Sequence, residues 1–217
     1  MSERVVSVNV GRPIEVPYRG GTVRTGIFKA PIEGRAMVSA TGLEGDGQAD
    51  LSVHGGEDKA VYLYSEDSYE WWRGRLGHAL QPGELGENLT VTGLTDDEVR
   101  IGDRLRAGEA LLEVTQPREP CFKLGIRMGD PRFVLAFREA GRTGFYARVI
   151  GEGEVGAGDT IEVVHRDPDA PTVRDVHGIY VDPTDLELMG RVAQAPGLAA
   201  GWREWMERKV AEGAAVD

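Results

Sequence analysis

The residues able to do chemistry gather in four short segments. The first, Gln116-Pro117-Arg118-Glu119-Pro120-Cys121, carries the only cysteine among 217 residues. Each proline fixes its own φ and restricts the residue before it, so the backbone sets where the sulfur sits. Arg118 and Lys123 flank Cys121 and favour the thiolate, the form that attacks an electrophile or binds a metal. Taken without its neighbours, the same cysteine is a small apolar core residue, and both readings stand at this point. A single cysteine excludes an intrachain disulfide, a CxxC redox pair and a thiolate zinc cage within one chain.

The second segment runs from Gly42 through Asp46 and Asp50 to His54-Gly55-Gly56. Glycines this dense beside carboxylates let backbone N–H groups face an anionic or hydrogen-bonding ligand. Asp46, Asp50 and His54 are candidate ligands for a divalent metal, weighed against ordinary solvated turn residues. The segment has neither the Gly-Lys-[Ser/Thr] of a phosphate loop nor the spacing of an EF-hand. In the third segment, Gly83 to Gly93, Asn88 at a strand start either fixes a polar ligand or satisfies a turn. The fourth, Gly141-Arg142-Thr143-Gly144, places a cation and a hydroxyl in a turn, which suits a phosphate or a plain loop equally.

Short strands must position these segments. Apolar alternation predicts strands at Val5–Val10, Thr22–Phe28, Lys59–Tyr64, Asn88–Thr92, Ala110–Thr115, Phe145–Ile150 and Thr160–His165. Many short strands separated by glycine turns point to a barrel rather than a βαβ sheet. Two helices interrupt them. One has Ser65 as N-cap, Tyr69, Trp72 and Leu76 on one face, and ends by Gly77; the other begins near Pro131, carries Val134, Leu135 and Phe137, and stops before Gly141. After His165 the pattern turns helical, with segments near 171–180, 183–194 with Pro183 at the first helical position, and 198–212. The organisation expected is a mainly β domain over 1–165 and a three-helix domain over 166–217. Leu198, Trp202, Trp205 and Met206 read as packing within that appendage.

Composition sets limits on function. Hydrophobic residues make 41% and charged residues 28%, which is the balance of a globular chain. The net charge of −11 argues against nucleic acid and anionic membranes as partners. No apolar run approaches the roughly 20 residues of a span, and no basic start precedes an apolar stretch, so a cytoplasmic location is expected. Residues 117–150 run against the trend, with seven basic and three acidic side chains. The cysteine lies in a basic segment of an acidic protein.

Taken together, Thr41–Asp50, His54–Val61, Gly86–Leu94, Gln116–Cys121 and Arg142–Tyr146 resemble, in order, the motifs of the MOSC domain family, named for the C-terminal part of the molybdenum-cofactor sulfurases. The likeness is greatest to its YiiM-like, hydroxylaminopurine-resistance subgroup. The resemblance implies a MOSC-type β-barrel followed by a small three-helix domain, and a pyranopterin molybdenum cofactor with Cys121 as metal ligand. It implies the reductive dehydroxylation of N-hydroxylated compounds such as 6-hydroxylaminopurine, with electrons from a separate flavoprotein or iron–sulfur partner. On this reading Cys121 and His54 are the catalytic positions, His54 as proton donor. Lys29, Arg118 and Arg142 meet the cofactor's phosphate, and Asn88 and Gly55 its pterin. Relatives often carry a second histidine where Val53 stands here, so no two-histidine role transfers. The alternative is a module that binds the cofactor or carries sulfur without turnover.

Overall fold

A computed structural model describes residues 3–49 and 56–214. The strands are β1 (Val5–Val10), β2 (Ile14–Tyr18), β3 (Gly21–Thr25), β4 (Ala30–Pro31), β5 (Arg35–Ser39), β6 (Gly42–Leu43), β7 (Val61–Ser65), β8 (Leu89–Val91), β9 (Arg104–Ala107), β10 (Ala110–Pro117), β11 (Phe145–Gly151), β12 (Gly153–Gly156) and β13 (Ile161–His165). Eight of them form one sheet in the order β13-β9-β10-β11-β7-β8-β1-β4, and β12-β5-β6 form a second. The fold is mainly β, as expected. The large sheet curls until β1 meets β13 through a bridge between Arg4 and Thr160, but among the described residues no continuous ladder closes it into a complete barrel.

The strand VYLYS of β7 organises the interior. All five residues are buried, and alternation sends successive side chains to opposite faces. Val61 and Leu63 join the main core of the sheet. Tyr62 and Tyr64 join a second core with Tyr69, Trp72, Leu124, Phe133 and Phe137. The helix α1 (Glu66–Leu76) follows at once. Ser65 caps it by accepting from the Asp67 amide at 3.2 Å, and Gly77 ends it in the left-handed region, as read from the sequence. The chain then returns as β8, parallel to β7.

Beyond the cysteine, α2 (Phe122–Arg127) is a short helix that the sequence pattern does not predict. It is followed by α3 (Phe133–Ala140), which ends at a left-handed Gly141. The C-terminal helices are α4 (Val173–Val181), α5 (Leu186–Ala193) and α6 (Ala200–Ala214). Pro183 is not the first residue of α5. Asp185 caps that helix instead, accepting from the Leu188 amide at 2.8 Å, because a side-chain acceptor satisfies a free N–H that proline merely lacks. Val173, Val176, Met189, Val192 and Met206 enter the same core as the sheet, so the helices are packed onto it. No helix among the described residues is long and apolar enough to cross a membrane.

A buried carboxylate holds the Arg142-Thr143-Gly144 turn. Asp96 Oδ1 accepts from the amides of Thr143 (3.0 Å) and Gly144 (2.9 Å) and from the Thr143 hydroxyl (3.3 Å). At Gly144, φ is +66°, and a Cβ would lie 2.4 Å from the Leu63 carbonyl oxygen, so no other residue fits without rebuilding β7. Burial outweighs these hydrogen bonds and the Arg174 charge, and raises the Asp96 carboxyl above its ordinary value. Asp96→Ala strands two amides and a hydroxyl and is expected to cost about 2–4 kcal/mol in urea unfolding, with Asp96→Asn costing less. A raised carboxyl favours the fold most below about pH 4 and progressively less as pH rises through its folded value. Wild type should therefore lose stability relative to Asp96→Asn on going from acid to neutral pH.

Candidate functional site

The glycine-rich segment, the Asn88 segment and the cysteine segment converge on one cleft. Lys29, Asp46, Asn88, Arg118 and Cys121 all line it, with Lys59, Tyr62, Tyr146 and Lys123. Asn88 and Tyr62 meet because β7 and β8 run side by side: the Tyr62 amide donates to Asn88 Oδ1 at 3.1 Å and the Asn88 amide donates to the Tyr62 carbonyl at 2.8 Å. Backbone also crosses backbone here, since a Cβ on Gly26 would stand 2.3 Å from the Gly47 carbonyl oxygen.

Asp46 is the hub of the cleft's polar wall. Its Oδ1 accepts from the Gly11 amide at 2.9 Å; its Oδ2 accepts from Asn88 at 2.8 Å and forms an ion pair with Lys29. Both charged side chains are 8% exposed. Burial lowers the Lys29 ammonium from its usual value, against the pull of the Asp46 carboxylate. Asp46 is thus a structural carboxylate with both oxygens engaged, and no group of metal-binding side chains forms among the described residues. Asp50 and His54, the other two metal candidates, and Gly55 lie outside the described residues. Asn88 also spends its amide inward, on Asp46 and, at 3.4 Å, on the Asn9 carbonyl.

Arg118 differs from these. It is buried, with its guanidinium carbon 5.0 Å from the Tyr62 ring centroid and 5.3 Å from that of Phe137. Among the described residues its Nη1 has no hydrogen-bond partner and no carboxylate lies within ion-pair distance. Its amide donates to the Gly144 carbonyl at 3.1 Å, which ties the cysteine loop to the turn held by Asp96. Burial works against the charge; the Tyr62 and Tyr146 oxygens and the Cys121 sulfur work for it and raise the guanidinium's pKa overall. Burial pushes both phenols up, so they remain neutral hydroxyls.

Cys121 is half-buried at the residue preceding α2, in extended backbone. Arg142 was read as a cation for the same anion, and the structure places it elsewhere. Its guanidinium lies 5.5 Å over the Trp71 ring, its carbonyl accepts from the Tyr64 hydroxyl at 2.8 Å, and it does not line the cleft. The turn's hydrogen bonds to Asp96 and Tyr64 fix it as a support. The sequence reading missed Tyr62 and Glu119. Two tyrosines spaced by two in an otherwise apolar strand were the available signal for the first.

The cleft itself has a free volume of about 90 Å³, room for an anionic group but less than the roughly 300–1,000 Å³ of whole-ligand sites. A second cavity of about 640 Å³ shares Lys59 and Glu119 with it as walls and is completed by Gln116 and by Tyr180, Trp202 and Trp205 of the C-terminal helices.

Comparison with known proteins settles the relationship. Residues 50–162 match the MOSC domain and residues 172–213 match the YiiM-like, 3-alpha helix domain. The chain belongs to the MOSC domain family. It is 41% identical over 207 residues to the uncharacterized protein YflK of Bacillus subtilis, covering 94% of each chain. It superposes on the crystal structure of YiiM from Geobacillus stearothermophilus with a TM-score of 0.81 and 33% identity, covering 96% of this chain and 99% of that one. A protein named "Reductase" from Gibberella moniliformis is 36% identical over 199 residues, which are 88% of this chain and 35% of that longer one.

For this MOSC protein the ion pair gives a direct test. Asp46→Ala leaves Lys29 buried without its partner and is expected to cost about 3–5 kcal/mol in chemical denaturation. Adding Lys29→Met to that variant removes the orphaned charge, and more than half of the loss should return.

Proposed function

We propose that the protein is a reductase of N-hydroxylated compounds that binds a pyranopterin molybdenum cofactor anchored at the Cys121 cleft, whose enclosed part takes the cofactor's phosphate. The observation that carries the proposal is the buried, unpaired Nη1 of Arg118 beside the chain's only thiol. A permanent cation stripped of water and lacking a carboxylate demands an anion, and a lone thiol completes a sulfur donor set rather than building one. The residues present fit a ligand that brings a phosphate and a sulfur-bound metal together. The MOSC family match and the relative named as a reductase support the same reading.

The residues divide the work as follows. Arg118 meets the phosphate, with Lys123 adding positive charge at the rim; Lys29 and Asn88 hold Asp46 and so keep the facing wall in place. Cys121 supplies the protein's thiolate to the metal, held in position by Pro117 and Pro120. The cofactor, when bound, supplies a two-electron centre of the kind that side chains lack. Reduction of R–NHOH to R–NH2 and water consumes two electrons and two protons. The electrons come from a separate flavoprotein or iron–sulfur partner, and His54 is the proposed donor of a proton to the departing oxygen. Compounds such as 6-hydroxylaminopurine are the proposed substrates.

The test is elemental and pterin analysis, with a reductase assay, on protein made in a host that produces the cofactor. Wild type should carry molybdenum and reduce 6-hydroxylaminopurine when given an electron donor. Cys121→Ala should lose the activity with its melting transition nearly unchanged, since removing one sulfur empties little volume. His54→Ala should retain the metal while kcat falls about 10²–10⁴-fold, the usual worth of a general acid. Well-folded wild type without molybdenum would sink the proposal.

A further inference from the structure

The second cavity borders the Cys121 cleft, sharing Gln116 and Glu119 of the cysteine segment on one side and taking its other side from the C-terminal helices. Its outer wall is aromatic. Tyr180, from α4, lies 5.6 Å from Trp202 and 5.9 Å from Trp205 between ring centroids, and the two tryptophans of α6 stand 5.9 Å apart at 78°. Trp202 is largely buried and braces the other two, whereas Tyr180 and Trp205 are half-buried and present ring surface to the cavity. The opposite wall is held rigid against α6, because Asp58 accepts from the Ala200 amide at 3.2 Å and pairs with Arg148 at 3.0 Å.

Glu119 supplies the polar element. It lines both cavities. Among the described residues neither of its buried carboxylate oxygens has a hydrogen-bond partner, and Oε1 faces His177 Nδ1 at 3.5 Å. An acceptor left unmet beside flat aromatic faces suits a ligand that is itself flat and carries N–H donors.

We propose that this cavity recognises the organic part of the substrate, a planar N-hydroxylated nitrogen heterocycle. It stacks on Tyr180 and Trp205, donates ring or amino N–H groups to Glu119, and directs its N-hydroxyl group past the shared wall of Lys59 and Glu119 toward Cys121. The inference rests on the reductase reading and assigns the choice of substrate to the C-terminal helices. A stacking site of this kind accepts purine-like and pyrimidine-like rings and gives little to a small aliphatic N-hydroxy compound.

The experiment uses cofactor-loaded protein and three variants: Trp205→Ala, Trp205→Phe and Tyr180→Ala. Adenine, a heterocycle with no N–O bond to reduce, is the binding probe in calorimetry, and KM is measured for 6-hydroxylaminopurine and for hydroxyurea. Trp205→Ala and Tyr180→Ala should each weaken adenine binding about tenfold and raise KM for 6-hydroxylaminopurine similarly, as loss of a base-stacking ring does. Trp205→Phe should stay within about threefold of wild type by the same measure. Molybdenum content and KM for hydroxyurea should not move. Should Trp205→Ala fail to fold, Tyr180→Ala alone decides. Unchanged adenine binding in the alanine variants, with reduction intact, would overturn this inference and leave the reductase reading standing. Adenine binding that depends on these rings in a wild type reducing no N-hydroxylated compound would support the heterocycle site and defeat the reductase reading.

Discussion

A guanidinium buried without a counter-carboxylate is the constraint around which the rest of the structure is arranged. Taking such a charge out of water costs several kcal/mol. Two aromatic rings return part of it, since a desolvated cation–π contact is worth about 2 kcal/mol. The remainder is left for an anion, and Nη1 of Arg118 is the donor that waits for one. The protein's overall charge of −11 repels polyanions at a distance, while this single cation acts at contact range inside low dielectric. An acidic surface and an anion-binding cleft are therefore compatible.

The neighbouring elements hold Arg118 where it is. Alternation along β7 brings the Tyr62 ring to one side of the guanidinium, and α3 brings Phe137 to another. Asp96 fixes the turn whose Gly144 carbonyl takes the Arg118 amide. Cys121 follows Arg118 by three residues, one of them Pro120, so the anion site and the thiol are set in one rigid unit. The C-terminal helices touch the same unit: His177 donates from Nε2 to the Arg138 carbonyl at 2.8 Å and faces Glu119 with its other nitrogen. The helical segment thus contributes to the site as well as to the core.

Much of this was legible from the sequence, and the exceptions have physical causes. The Ser65 cap, the Gly77 and Gly141 stops, the strand that carries Tyr62 and the strands that follow Asn88 and precede the cysteine loop come from local rules of capping and alternation. The five ordered motifs led to the family, and the pairing of β7 with β8 and β11, and of β10 with β11, brings the segments of the last three side by side. The strands β2, β4, β5, β6, β9 and β12 are not anticipated: β4 and β6 have two residues each, Pro17 interrupts β2 and glycines bound β12, so little alternation marks them. Arg142 was misplaced because a turn's sequence says what it contains and not which way its cation leaves; Trp71, on another element, decided that. The stripe of Trp202 and Trp205 reads as packing, and both pack, Trp202 within the core and Trp205 half-buried against it; a helical period does not distinguish the two degrees of burial. Pro183 was given a helix start that Asp185 takes by offering an acceptor.

The most direct test of the account is a phosphate titration of cofactor-free protein, followed by the melting transition, on wild type and Arg118→Met. The variant without phosphate should be as stable as wild type or more so, since an apolar side chain replaces a buried, unneutralised charge. Wild type should gain stability as inorganic phosphate is raised, as expected for a ligand bound only by the folded state, and Arg118→Met should not. An equal response of the two proteins, or none in wild type, would contradict the claim that the cleft is built around an anion held by Arg118.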